Sequence, residues 1–137
     1  MNLDTVRAFC MSMPHATEGV QWDNDLLFRI GGKMFTIMAL EPNARYRVSF
    51  KTTPEEFAEL VEHPGIDPAP YAARYHWVSL ERFDCLPWGE LKERIRASYD
   101  LVWNCLTKKA RAEMSSKPVP SAKRPSVSKG KAKKGKP

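Results

Sequence analysis

Long apolar runs are absent from this sequence. No segment approaches the roughly 20 consecutive apolar residues that a membrane-spanning helix needs, and the first residues lack the basic and apolar regions of a secretory signal. Only three cysteines occur, Cys10, Cys85 and Cys105, and no two of them form a Cys-x-x-Cys pair. We therefore expect a soluble cytoplasmic protein with no membrane association, whose thiols are reduced. Cys10 and Cys105 are expected to be buried in helices.

Motifs for catalysis and metal binding are also missing. The sequence holds no P-loop, nucleophile elbow or dinucleotide-binding fingerprint, and Gly31-Gly32 has no following helix to hold a phosphate. The three histidines, His15, His63 and His76, lack the close ligand spacing of a zinc site. We therefore predict a protein that is not an enzyme and uses no metal and no cofactor.

Positive charge is concentrated at the C-terminal end of the chain. Residues 107–137 hold eleven basic residues against one acid, Glu113, so this segment has a net charge of +10. Residues 1–106 carry a net charge of −4, and the overall charge of +6 therefore belongs to the tail. Since the tail has few apolar residues, it cannot bury enough surface to offset the entropy of ordering. We predict one domain over residues 1–106 and a disordered basic tail over residues 107–137.

Apolar spacing and turn residues predict an α+β fold in which three helices pack on an antiparallel sheet. Asn2 or Asp4 caps a first helix, and Thr53-Pro54-Glu55-Glu56 begins a second with a capping box. Gly31-Gly32 forms a two-residue hairpin turn, because glycine accepts the positive φ of a type I′ turn. A third helix follows Pro87. A four-strand meander plus a fifth strand is expected at residues 18–22, 26–30, 34–40, 45–51 and 75–80.

Several stretches of the sequence together carry a family resemblance. They are Pro14–Trp22, Phe28–Phe35, Val48–Lys51 leading into Pro54–Phe57, Pro70-Tyr71 with His76–Val78, and Ser98–Val102. In this order and spacing, over about residues 3–106, they resemble the MmcQ/YjbR family of small bacterial proteins. The resemblance implies an antiparallel sheet with packed helices, described as double-wing or secretion-chaperone-like. It also implies DNA binding, although the net negative charge of residues 1–106 argues against carrying that role over to the domain itself.

Alternating side chains give the predicted fourth strand one basic face. Cations there would contact nucleic-acid phosphates, because Arg forks onto phosphate oxygens and Lys supplies a point charge. The alternatives are that this face is simply solvated, or that its cations pair with acids on the helices. The predicted contact residues are Arg45, Arg47 and Lys51 on this strand, with Arg29 and Lys33 on the preceding hairpin. The opposite face holds Tyr46, Val48 and Phe50.

Aromatic residues cluster around a proline-rich segment, where Tyr71, Tyr75, His76 and Trp77 lie close in sequence. If exposed, Tyr71, His76 and Trp77 would stack on bases or line a small-molecule site. The alternative is that Tyr75 and Trp77 face the core. Trp22, Trp88 and Trp103 are expected in the core as well.

The basic tail favours a partner with a dense negative charge. Its lysines would release counterions from nucleic acid and read charge rather than base edges. We therefore predict a protein that binds DNA or another polyanion through the strand face and the tail. Two alternatives remain, a protein-interaction or chaperone-like module that forms a homodimer, and a small-molecule binder. The predicted tail contacts are Lys123, Arg124, Lys129, Lys131, Lys133, Lys134 and Lys136.

Overall fold

A computed structural model describes residues 2–22, 24–70 and 72–115. These residues contain six strands and four α-helices. The helices are α1 (Leu3–Met11), α2 (Pro54–Leu60), α3 (Trp88–Cys105) and α4 (Lys108–Ser115). The strands are β1 (Thr17–Gln21), β2 (Asp25–Ile30), β3 (Lys33–Ala39), β4 (Val48–Lys51), β5 (Ile66–Pro68) and β6 (Trp77–Leu80). All strand pairs are antiparallel, in the order β1-β2-β3-β4-β6-β5 across the sheet. The α+β class predicted from the sequence is confirmed.

Local capping signals act as the sequence predicted. The Asn2 side chain accepts a hydrogen bond from the Thr5 amide at 2.9 Å and caps α1. At α2, the Thr53 hydroxyl accepts from the Glu56 amide at 3.1 Å, and the Glu56 carboxylate accepts from the Thr53 amide at 3.0 Å. These reciprocal bonds form the capping box, so side chains close by in sequence supply partners for amides at the starts of α1 and α2.

One face of the sheet packs against the helices. Helix α3 lies across β2, β3 and β4, and its residues Leu91, Ile95 and Val102 are buried at the predicted helical spacing. Val48 and Phe50 of β4 are buried in the same core. The core therefore lies between α3 and one side of the sheet.

Three boundaries differ from the sequence expectation. Strand β4 begins at Val48 rather than at residue 45, because the preceding chain turns where the Ala44 amide donates to the Glu41 carbonyl at 3.1 Å. Strand β5 forms in the proline-rich stretch expected to be irregular, with Ile66 opposite Leu80 of β6. Strand β6 begins only at Trp77, because a short 3₁₀ helix at Ala73–Tyr75 precedes it.

The basic segment starts with an ordered helix. Helix α4 corrects the prediction that disorder begins at residue 107, since Ala110 and Met114 pack against the core. A Cβ on Gly31 would stand 2.8 Å from a methyl of Leu106 and 3.1 Å from the methyl of Met114. Helix α4 is therefore seated on the turn between β2 and β3. Residues 116–137 lie outside the described residues.

The cysteines occupy three different environments. Cys10 is buried, and burial raises the pKa of its thiol to about 12, so the thiol stays protonated at neutral pH. Cys105 is exposed, contrary to the sequence expectation, because it lies at the end of α3 away from the core. Cys85 is half-buried beside the Gly65 carbonyl.

Candidate binding groove on the open sheet face

The sheet face opposite α3 is formed by residues that the strand register aligns. Ile37 of β3 pairs with Ser49 of β4, Ser49 pairs with Ser79 of β6, and Ser79 pairs with Asp67 of β5. Because side chains alternate along a strand, these residues share the face that the buried Val48 and Phe50 do not occupy. We call this the open face.

A groove of about 560 Å³ lies on the open face. Its volume falls within the roughly 300–1,000 Å³ of small-molecule sites. The apolar part of the lining includes Trp22, Met34, Ile37, Ala39 and Trp77. Short side chains from the segment between β5 and β6, Ala69, Pro70 and Ala72, close one side. The groove therefore combines a strand-built floor with a wall formed by a loop.

Two tryptophans line this groove, one largely buried and the other largely exposed. Trp77 is 7% exposed and lies at the start of β6 on the same face as Ser79, so it is a largely buried part of the groove lining. Trp22 is 61% exposed and follows β1 with a φ of 53°. The prediction that Trp22 is a core residue is wrong, because this left-handed backbone places it in the turn after the strand has ended. Tyr75 is also exposed rather than in the core.

Hydroxyl groups supply the polar part of the groove. Ser49 Oγ and Ser79 Oγ are 2.7 Å apart and hydrogen bond to each other. The Tyr46 hydroxyl donates to the Asp67 carboxylate at 2.8 Å. Burial, together with this carboxylate, raises the pKa of the Tyr46 phenol, which therefore remains a neutral donor. The sequence analysis did not single out either serine, because only the pairing of β4 with β6 brings them together.

Three of the five predicted cations of the folded part lie at or beside the groove. Arg47 lines it directly, whereas Lys33 is paired with the core residue Ile30 and so shares the helix-packed side of the sheet. Arg29 is paired with Met34 across the β2–β3 ladder, and Lys51 is paired with Trp77 across β4 and β6. The predicted basic face thus becomes a border of separate cations around an apolar groove rather than a continuous stripe.

Neighbouring groups fix the directions of these cations. Arg29 donates to the Gln21 amide oxygen at 2.9 Å, and its Nη1 is 4.0 Å from where a Cβ on Gly19 would stand. Lys51 Nζ donates to the Tyr75 carbonyl at 3.1 Å. Neither bond involves a carboxylate, so both cations keep their full charge uncompensated by a direct ion pair among the described residues.

Arg45 departs from the predicted strand face, whereas Arg47 keeps to it and lies on the side of Ser49. The backbone of Arg47 continues the ladder, because its amide donates to the Leu80 carbonyl at 2.8 Å and its carbonyl accepts from the Ala39 amide at 3.0 Å. Arg45 lies 3.7 Å from carboxylate oxygens of both Asp67 and Glu81, so acids compensate its charge. Arg47 donates to the Glu41 carbonyl and lies 5.3 Å from the centroid of the Phe83 ring. Tyr46, expected on the helix-facing side, instead lines the groove beside Arg47.

Of the remaining predicted site residues, His76 does not line the groove. The ring of His76 packs edge-on against Phe57, with 5.6 Å between centroids. Its carbonyl accepts from the Thr52 amide and hydroxyl at 2.9 Å and 2.6 Å. His76 thus serves the junction between β6 and α2 rather than the groove. Tyr71 lies outside the described residues, as do Lys123, Arg124, Lys129, Lys131, Lys133, Lys134 and Lys136.

Metal-binding clusters and membrane-spanning helices are both absent from residues 2–22, 24–70 and 72–115. No three His, Cys, Asp or Glu side chains come together there in a way that would hold a metal ion. No helix there is long and apolar enough to cross a bilayer. The groove and its cations therefore offer stacking, hydrogen bonding and charge, without a metal site in this part of the chain.

Comparison with known protein sequences gives one consistent family. The family model described as YjbR matches residues 11–101. The chain is 28% identical over 114 residues to the uncharacterized protein YjbR of Escherichia coli strain K12, covering 81% of this chain and 95% of that protein. The same figures hold for the protein of that name in Escherichia coli O157:H7.

Comparison with solved structures finds proteins of similar fold. The crystal structure of Deinococcus radiodurans protein DR2400, with a domain designated DUF419, matches with a TM-score of 0.72 and 30% identity, covering 82% of this chain and 87% of that one. A Pseudomonas syringae protein matches with a TM-score of 0.60 and 20% identity, covering 74% of this chain and 98% of that one. The second likeness concerns the fold alone.

Proposed function

The chain belongs to the YjbR family, and we propose that it is a nucleic-acid-binding protein whose basic C-terminal segment contacts the phosphate backbone. The observation that carries the proposal is the separation of charge along the chain. Residues 107–137 have a net charge of +10, whereas residues 1–106 have a net charge of −4. A polyanion would therefore be attracted to one end of the protein and repelled by much of the rest.

The position of α4 supports the proposal, because it holds lysines of the basic segment beside the turn between β2 and β3. Helix α4 carries Lys108 and Lys109, which are exposed, and its Met114 contacts Gly31 at the hairpin turn. Lys33, also exposed, is two residues farther along this turn. The ion pairs formed within the described residues involve none of these three lysines. Their charges are available to phosphates.

Binding of this kind has a characteristic dependence on salt. Each phosphate that a lysine neutralises releases condensed counterions, so the logarithm of the binding constant falls with the logarithm of salt concentration by about 0.9 per contact. Contacts of this kind reach phosphates rather than base edges, so their contribution is independent of sequence.

The test measures binding of the full-length protein to a labelled 20-base-pair duplex by fluorescence anisotropy at several salt concentrations. The comparison variant replaces Lys129, Lys131, Lys133, Lys134 and Lys136 by glutamine and keeps the chain length. We expect the variant to weaken binding and to reduce the salt slope by about 4.5 if all five lysines contact phosphates. Full-length protein that fails to bind at low salt would refute the proposal.

A protein-interaction role is the second candidate, favoured by the free edge of the sheet. Strand β1 is the first strand in the sheet order, so one side of its backbone has no strand partner among the described residues. Val20 on this strand is 57% exposed. An edge of this kind can pair with a second copy of the chain. Light scattering of the full-length protein would show a homodimer, which Val20→Lys would weaken; a monomer at all concentrations counts against this role.

A further inference from the structure

We propose that the groove on the open face accommodates one unpaired base of a nucleic-acid strand. The inference rests on the proposed function and adds the class of nucleic acid to it. A base within a duplex is stacked between its neighbours and cannot enter a groove on a protein surface without being unpaired. The protein would therefore prefer single strands to duplexes of the same sequence.

The apolar lining suits a flat ring. Trp77 forms part of the buried side of the groove, whereas Trp22 stands at its exposed side. Met34 and Ile37 lie on the same strand and complete the apolar surface. Aromatic side chains stack on any of the bases, because every base presents a π-face, and such stacking tolerates different sequences. Trp22, which is largely exposed, gains most from being covered by a ring.

The serine pair gives the groove groups that match the edge of a base. Each hydroxyl has one donor and two acceptor positions. The 2.7 Å bond between Ser49 and Ser79 uses one donor and one acceptor of the pair, so one donor and further acceptor positions remain. Base edges carry both donors and acceptors, and a hydroxyl pair can serve either by rotating. The pair therefore offers polar contacts without selecting a single base.

The charges around the groove complement a strand whose base lies inside it. Arg47 lines the groove, Arg29 is paired with Met34, and Lys51 is paired with Trp77. Of the acidic residues, Asp25 lines the groove, and Asp67 is engaged by Tyr46 and Arg45 at its border. Phosphates on either side of the inserted base would thus meet cations.

The experiment compares single-stranded and duplex DNA of one sequence, using full-length wild type and the variants Trp22→Ala and Tyr75→Ala. Tyr75 is the matched control, since it is an aromatic side chain exposed to 52% that does not line the groove. We expect Trp22→Ala to weaken single-strand binding about tenfold, to leave duplex binding unchanged and to preserve the thermal unfolding midpoint. Tyr75→Ala should change neither affinity.

A photocrosslink locates the base directly. A single strand containing 5-bromodeoxyuridine, irradiated in complex with the wild-type protein, should attach to Trp22 or Trp77, and mass spectrometry would identify the peptide. Equal effects of Trp22→Ala on single strands and duplexes, or crosslinks confined to other residues, would overturn the groove inference and leave the proposed function standing. Absence of binding to both forms of DNA would instead remove the proposed function itself.

Discussion

Replacing Ser98 by alanine should destabilise the fold far more than the loss of one small side-chain atom suggests. Ser98 is fully buried in α3. Its hydroxyl donates to the Phe35 carbonyl at 2.6 Å and accepts from the Lys51 amide at 2.9 Å. Phe35 lies where the β2–β3 register shifts, between the pairs Phe28–Thr36 and Arg29–Met34. The hydroxyl thus supplies a partner to two backbone groups at a bulge and on the adjacent strand.

The magnitude follows from those two bonds. A buried backbone group left without a partner costs about 1–3 kcal/mol, so orphaning two of them by Ser98→Ala should lower the free energy of unfolding by about 2–6 kcal/mol. Urea denaturation followed by circular dichroism measures this change, provided that the m-value stays constant. Ser12→Ala is the control, because the Ser12 hydroxyl donates to the Phe9 carbonyl at 2.6 Å in an exposed position. A loss below about 1 kcal/mol for Ser98→Ala would refute the reasoning.

Two further predictions concern the hairpin turn and the N-terminal region. Gly31→Ala should destabilise more than Gly32→Ala, since both glycines have positive φ but only a Cβ on Gly31 meets Leu106, at 2.8 Å; equal losses on thermal unfolding would contradict this. The Arg7 guanidinium, 2.8 Å from Glu18, lowers the pKa of that carboxyl. This stabilisation is therefore complete above the ordinary carboxyl pKa and is lost as pH falls through the lowered one. Glu18→Gln should accordingly be less stable than wild type at neutral pH and equal to it in acid, as unfolding titrations would show.

Features set by neighbours along the chain were predictable from the sequence. The Asn2 cap of α1, the capping box of α2, the Gly31-Gly32 turn and the buried face of α3 depend on residues within about four positions of each other. Helix α4 also had such a signal, because Leu106, Ala110 and Met114 recur every fourth residue. The low apolar content of residues 107–137 as a whole obscured that short pattern. The reason that α4 packs on the domain, its contact with Gly31, is visible only in the structure.

The groove could not be derived from the sequence, because residues distant along the chain build it. Ser49 and Ser79 meet only when β4 pairs with β6. The charge of Arg45 is compensated by Asp67 and Glu81, which only the folded sheet brings to within 3.7 Å of it. Hydropathy places Trp22 in a core, and the left-handed backbone that exposes it is unfavourable for a bulky residue. Pattern analysis therefore found the cations bordering the site but missed its floor.

The backbone amide and the side chain of Lys51 make hydrogen bonds on opposite sides of β4. Its backbone amide donates to Ser98 on the helix side, whereas its ammonium group donates to the Tyr75 carbonyl near the groove. A substitution such as Lys51→Gln removes the charge but keeps the amide, so the bond that fixes α3 against β4 survives. The ammonium bond is exposed and contributes little to folding. Alternation along β4 thus lets the open face change its charge without disturbing Val48 and Phe50 behind it.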